Sequence, residues 1–245
     1  MSHEAGSEDE SSPETATTIF RNQWSLYDKL LVGNHMRHRE VYGEVHHELA
    51  ARFREPFSLI DLGCGDASRA AMALQGTAIR KYVGVELVPA LTDAARRHLS
   101  SLGCEVDFLV TDLGTVFSQP APEPFDVILA GYSVHHLREA EKRQLLAGIH
   151  SWLSPTGQFL LIDLLCREDE TRRHYLDRFH NIAATTFHGL DDEDKRQVRD
   201  HMEANDWPES QGRLDQFAAS VGLTRSKLLY RDPEELYAVL SFNKA

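Results

Sequence analysis

The sequence predicts an α/β fold: a doubly wound, seven-stranded mixed sheet with helices on both faces, preceded by N-terminal helices and carrying a helical cap insertion. Three observations lead there. From residue 55 onward, short and almost wholly apolar runs alternate with helical stretches, the pattern of a parallel sheet covered on both sides. The first run ends in a glycine-rich turn that opens a helix, Gly63-Cys64-Gly65-Asp66. The length of 245 residues, 42% hydrophobic and 26% charged, suits one domain with a full core.

Residues 1–18 contain Glu4, Glu8, Asp9, Glu10 and Glu14 and neither Lys nor Arg. They cannot bury enough apolar surface to offset chain entropy and are expected to form a disordered acidic tail. Over 19–54 two lid helices are expected. Ile19, Phe20, Trp24, Leu26, Tyr27, Leu30 and Leu31 recur at helical spacing, a second stretch covers 36–53, and Gly33-Asn34 separates them.

The domain proper spans 55–245. Residues 57–62 read as a buried strand and 67–74 as a helix, with Asp66 or Ser68 available as its cap. A strand over 82–86 precedes a helix over 89–102, where Pro89 suits the first turn. Strands follow over 106–110 and 125–130, then a helix over 139–153 and a strand over 158–165. Residues 164–215 break the rhythm with 13 acidic residues, 8 basic residues and four His at helical spacing. That segment is expected to cap the sheet edge. A helix over 214–221 and strands over 223–230 and 236–242 complete the chain; the short turn at Asp232-Pro233 makes the last two an antiparallel hairpin.

The formal net charge of −12 argues against a nucleic-acid partner or an anionic membrane surface, both of which need a basic footprint. No run of eighteen apolar residues occurs, so no membrane-spanning helix is expected. The first residues, acidic and Ser-rich, are unlike a signal or transit peptide. Cys64, Cys104 and Cys166 form no C-x-x-C pair, which points to neither a disulfide framework nor a thiolate zinc site and suits a reducing, cytoplasmic setting.

The chemistry concentrates at the strand ends. Gly63 and Gly65 allow a sharp turn with no Cβ between backbone and ligand. Glu86 lies 23 residues after Gly63, at the end of the second strand, where a carboxylate can accept hydrogen bonds from both hydroxyls of a ribose. A nicotinamide dinucleotide site would want G-x-G-x-x-G, but the sixth position is Ser68 and Asp66 would repel a pyrophosphate at the helix N-terminus. A nucleoside that carries an amino acid and no phosphate suits the turn better.

These residues resemble class I S-adenosylmethionine (SAM) dependent methyltransferases, with their Rossmann-like sheet. Asp61-Leu62-Gly63-Cys64-Gly65-Asp66-Ala67-Ser68 is similar to the first motif, with Ala67 in place of its third glycine. Segment 82–86 resembles the second strand with its ribose-binding acid, and 108–113 the third, whose terminal acid in the family bonds the adenine amino group. Segment 125–132 resembles the fourth strand, beside the methionine moiety. The resemblance covers roughly 55–165 and 212–243. It implies SAM as cofactor, S-adenosylhomocysteine as product, and cofactor contacts from Asp61, Gly63, Cys64, Gly65, Glu86, Leu87, Asp112, Leu113, Ala130 and Gly131. Neither the N/D-P-P-Y/F motif of nucleobase amine methyltransferases nor a Pro-Cys nucleophile is present, which favours a small-molecule substrate. A non-catalytic SAM-binding protein of the same fold and a dinucleotide oxidoreductase are the other readings.

For proton transfer the candidates are His135 and His136, just after the fourth strand, since imidazole titrates near neutrality. Tyr27, His35 and His38 in the leading helices, Tyr132, and Asp163 at a strand end are candidate substrate contacts, with Arg37 a further lid residue. His35 and His38 are three residues apart but have no evident further ligands, so no metal is assigned. His201 with Asp206, Trp207, Pro208 and Glu209 could line the substrate pocket from the cap. The sequence leaves the oligomeric state open.

Overall fold

The computed structural model describes residues 26, 27, 29–118, 121 and 123–245. The expected acidic tail and most of the first lid helix lie outside the described residues.

Strands β1 (Phe57–Leu62), β2 (Ile79–Glu86), β3 (Glu105–Val110), β4 (Phe125–Gly131) and β5 (Leu153–Cys166) are parallel, in the order β3-β2-β1-β4-β5. The last strand, β8 (Tyr237–Asn243), lies antiparallel between β5 and β7 (Lys227–Arg231). The order reverses between β1 and β4, so the loops after these strands diverge and leave a crevice at their carboxyl ends, where open α/β sheets bind ligands.

Because successive strand residues point to opposite faces, each strand feeds two cores. Ile60, Leu62, Val85, Ile128 and Phe159 pack under α4 (Glu139–Trp152) and α7 (Gln211–Ser220). Leu59, Tyr82, Leu129, Leu160 and Ile162 pack on the other face under α1 (His38–Arg52), α2 (Ser68–Leu74) and α3 (Pro89–Leu99). The sheet is therefore doubly wound, as the alternation predicts.

Three details differ from the sequence reading. An eighth strand, β6 (Glu209–Ser210), pairs parallel with Leu165 and Cys166; two polar residues carry no apolar signal. β5 begins at Leu153 rather than at 158, so that Pro155 and Gly157 extend the edge of the strand. β7 begins at Lys227, because Leu223 makes only an isolated bridge to Lys244.

The inserted segment is helical: α5 (Arg172–Thr186) and α6 (Asp192–Asn205). Asp191 and Asp194 form a reciprocal capping box at the start of α6. Tyr175, Phe179, Phe187 and Met202 build a third core against Leu164, Leu236 and Tyr237 at the end of the sheet. Leu26, Leu30 and Met36 of the leading segment pack on this cap. Lys29 Nζ reaches Asp194 at 2.7 Å, and Arg37 Nη2 reaches Glu234 of the β7–β8 turn at 2.7 Å. Among the described residues no helix is long and apolar enough to cross a membrane.

Candidate active site

The turn after β1 is shaped for a close ligand. Gly63 and Gly65 have φ of +76° and +55°, and a Cβ at Gly65 would meet no atom within 4 Å. That open space, with no side chain between backbone and solvent, fits a nucleoside-linked ligand. Ala67 also has a left-handed backbone, φ +52°, so the methyl in place of the family's third glycine is carried in a conformation that L-residues resist. The helix cap falls on Ala67, which offers no side-chain bond, rather than on Asp66 or Ser68; Asp66 Oδ1, one residue earlier, accepts from the Ser68 N–H at 3.0 Å.

Glu86 is buried beside this turn; its Oε2 accepts from the Gly65 N–H at 2.9 Å and its Oε1 from the Val88 N–H at 2.8 Å. Asp61 is 3% exposed, and burial pushes its pKa up to about 7, with Glu86 adding to the rise and a 2.8 Å bond from the Tyr82 hydroxyl opposing it. Burial likewise raises the Cys64 thiol. Asp112 accepts from the Thr115 hydroxyl and from the Gly114 and Thr115 N–H groups, contacts that hold its pKa below the ordinary value, the Thr115 hydroxyl first. It shapes the loop after β3. Leu87 is exposed, Leu113 is half-buried against the core, and Ala130 is fully buried.

At the mouth of the crevice stands a wall of rings. His38 is 1% exposed, with neither ring nitrogen hydrogen-bonded among the described residues, and its centroid lies 5.0 Å from Tyr132, 6.1 Å from Tyr27 and 6.2 Å from Tyr42. Burial, assisted by the Arg69 charge, lowers its pKa to about 4, so the imidazole is neutral. Tyr27 is pushed up to about 12, first by burial and then by Asp66 and Asp61, which sets it beside the glycine turn. A Cβ on Gly131 would fall 2.4 Å from the Tyr42 hydroxyl oxygen. Tyr132 follows with φ +54°, a strained backbone for an aromatic residue, and its hydroxyl donates to the Met36 carbonyl.

His35 sits apart from this wall. It stacks on Phe187 at 4.6 Å, its Nε2 lies 3.0 Å from the His188 carbonyl, and it lines a cavity of about 220 Å³ together with Arg37 and Glu234. Two contributors carry weaker sequence signals. Tyr42 lies one helical turn after His38, on the same face. Arg69 opens α2, and its Nε is buried without a hydrogen-bond partner among the described residues.

The second constellation joins core to cap. His135 is 5% exposed, and its Nδ1 is bonded to Asp163 Oδ1. Burial disfavours its imidazolium, yet Asp163 and then Asp206 outweigh burial and raise the pKa. Asp206, at the end of α6, is 3% exposed, and its Oδ1 lies 3.1 Å from His136 Nδ1. The Trp207 N–H donates to the His135 carbonyl at 2.6 Å, and the indole lies between the Arg138 and Arg172 guanidinium groups at 3.3 and 3.8 Å.

The switch-point crevice, the open glycine turn and the buried acid at the end of β2 together define an α/β fold built to bind a nucleoside cofactor. Residues 59–157 match the family model described as a methyltransferase domain, and the chain carries a SAM-dependent methyltransferase domain. It is 26% identical to an uncharacterized methyltransferase of Geobacillus kaustophilus over 178 residues, 71% of this chain and 78% of that one. The Burkholderia thailandensis 1,6-didemethyltoxoflavin-N1-methyltransferase, solved with 1,6-didemethyltoxoflavin and S-adenosylhomocysteine, superposes with a TM-score of 0.58 at 18% identity, covering 98% of this chain and 93% of that chain. The DhpI–S-adenosylhomocysteine complex gives 0.61 at 14% identity, covering 93% and 94%. SAM is the cofactor.

Proposed function

We propose that the chain transfers the methyl group of SAM to a nucleophilic O, N, S or C atom of a small, neutral or cationic metabolite in the cytoplasm. The observation that carries this reading is the enclosure: Tyr27, His38, Tyr42 and Tyr132 wall the crevice while the helical cap packs beside it with its own core. Such an enclosure suits a ring-sized acceptor. The solved neighbour that holds 1,6-didemethyltoxoflavin has the same fold, and the segment 164–215 carries a net charge of −5, from 8 basic and 13 acidic residues. All three thiols are free, which suits a reducing compartment.

SAM supplies a methyl group on a positively charged sulfur. In this reading Gly63 turns the chain and the open backbone of Gly65 approaches the cofactor, Glu86 accepts from the ribose, and Asp61 faces its cationic end. Asp112 and Leu113 border the adenine, and Arg69 is the cation available to its carboxylate. The four-ring wall excludes water and orients the acceptor. Holding nucleophile and methyl carbon about 3 Å apart replaces a costly bimolecular encounter. Where the acceptor must lose a proton, His135 or His136 takes it; Asp163 fixes the His135 ring through Nδ1.

The test is a methyl-transfer assay with a metabolite extract and SAM, read by mass spectrometry for products heavier by about 14 Da, the mass of one added CH2. A product whose formation stops in Glu86→Ala supports the reading. Tight S-adenosylhomocysteine binding with no methylated metabolite would leave a non-catalytic SAM-binding protein.

A further inference from the structure

Three imidazoles converge on one buried carboxylate where the cap meets the core. Asp206 Oδ1 lies 3.1 Å from His136 Nδ1, 3.7 Å from His135 Nε2 and 3.8 Å from His201 Nε2. One ligand atom from each of His135, His136 and Asp206 can be chosen so that all three lie within 4.8 Å of one another. With metal–ligand bonds of about 2.0–2.2 Å, neighbouring donors of a tetrahedral site stand about 3.3 Å apart, so these three must draw inward; His201, with its Nε2 3.8 Å from Asp206 Oδ1, lies outside that set and must swing further to supply a fourth donor.

A second observation points to a missing cation. Asp206 is 3% exposed, yet among the described residues its Oδ1 accepts no hydrogen bond of adequate geometry. A buried carboxylate oxygen without a partner is costly. Its surroundings supply lone pairs as readily as protons. Asp163 holds His135 Nδ1, which fixes that nitrogen as the donor and leaves the Nε2 lone pair facing Asp206. Carboxylate–imidazole–metal relays are arranged this way. The neighbouring cations are bound to other acceptors: the Arg172 guanidinium donates to the backbone carbonyls of Asp206, Met202 and Glu203, and Lys142 to the Trp207 carbonyl and to Glu209 at 2.9 Å. The His136 and His201 side chains are 42% and 48% exposed, so the cluster is open to solvent on one side and an ion has a way in.

From this geometry we infer that His135, His136, His201 and Asp206 bind a divalent transition-metal ion, Zn2+ by the chemistry of the donor set, and that the ion fastens the cap to the core. Three imidazole nitrogens and one carboxylate oxygen form a borderline N3O set that favours zinc over calcium or magnesium. The ion takes the lone pairs that a proton-acceptor role would use, so the two roles are alternatives at one place. The inference does not depend on whether methyl transfer needs a base.

The experiment uses the full chain, stripped with chelator and titrated with Zn2+, then with Co2+ as a spectroscopic probe. The expected result is one equivalent of zinc by elemental analysis, a rise in melting temperature on zinc addition, and the visible absorption of tetrahedral Co2+. His201→Ala, at an exposed position, abolishes all three while S-adenosylhomocysteine binding shows that the chain is folded. Asp163→Asn weakens zinc binding roughly 10–100-fold, as loss of an outer carboxylate does. Absence of stoichiometric zinc in the wild type, or equal uptake by His201→Ala and Asp206→Asn, overturns the assignment.

Discussion

Glu86 ties the glycine turn to the second strand: its Oε2 accepts from the Gly65 N–H at 2.9 Å while its Oε1 holds the Val88 N–H at 2.8 Å. One carboxylate thereby shapes the turn and stands where a ribose would be bound. Charge-assisted hydrogen bonds contribute about 1.5–3 kcal/mol each. Glu86→Ala is therefore expected to weaken S-adenosylhomocysteine binding about 10–100-fold by calorimetry, and Glu86→Gln, which keeps one acceptor oxygen, to weaken it less. Unchanged affinity in the alanine variant would remove Glu86 from the cofactor site.

Asp61 makes cofactor binding depend on pH. With a folded pKa near 7, it is largely protonated below neutrality, and a cationic ligand favours its ionised form. Affinity for SAM should rise with pH through about 7, with proton release detectable as buffer-dependent binding heats. Without ligand the sign is opposite for stability. The folded state holds a proton that the unfolded carboxyl loses near 4, so this stabilisation is present at low pH and is lost as pH rises through about 7. Asp61→Asn should flatten both profiles; an affinity independent of pH in the wild type would contradict the assignment.

Gly131 and Tyr42 should behave as a pair. In Gly131→Ala the new methyl would lie 2.4 Å from the Tyr42 hydroxyl oxygen and 3.4 Å from the ring carbon that bears it. Overpacking of this kind costs about 1–3 kcal/mol. Removing the hydroxyl in Tyr42→Phe should restore most of the loss, measured as urea midpoints for both single variants and the double variant. Additive losses would mean that the two do not touch in solution.

The His135–Asp163 pair is buried at both ends, with side-chain exposures of 5% and 7%. Breaking such a pair from one side costs about 3–5 kcal/mol, so Asp163→Asn should lower the unfolding midpoint strongly. The folded pKa of His135 is raised. Its contribution is therefore complete below the ordinary imidazole value near 6.5 and is lost as pH rises through the folded value. The variant should lose that slope, and a wild-type stability profile flat from pH 6 to 9 would argue against the pairing.

Trp207 separates two guanidinium groups, and each cation–π contact contributes about 0.5–2 kcal/mol. Trp207→Ala leaves Arg138 and Arg172 facing across a gap. Hydrogen exchange in residues 191–206 should accelerate while the strands keep their protection. Uniform acceleration over the whole chain would instead indicate a role in global stability.

The strands were legible because their signal is local: a continuous apolar run such as Leu59-Ile60 needs burial on both faces wherever it lies. The acids at strand ends were legible for the same reason, since a carboxylate after an apolar run stands out. Less readable were partners brought together by the cap. Asp206 lies 71 residues after His135, and no periodicity relates them. Tyr42 was hidden inside a helix whose pattern already accounted for it as core. His35, which shares the leading segment with His38, follows a different side of that segment to Phe187. Single-residue differences in direction are set by packing, which the order of residues does not spell out.

The leading segment is held to the cap and to the β7–β8 turn by two partly exposed ion pairs, Lys29 to the buried Asp194 and Arg37 to Glu234, and beneath them by a few apolar contacts to the cap. Exposed ion pairs are weak and salt-sensitive, whereas the sheet below is anchored by fully buried side chains. Salt is therefore expected to loosen this segment before the sheet, seen as faster hydrogen exchange over residues 29–37 at unchanged protection of the strands.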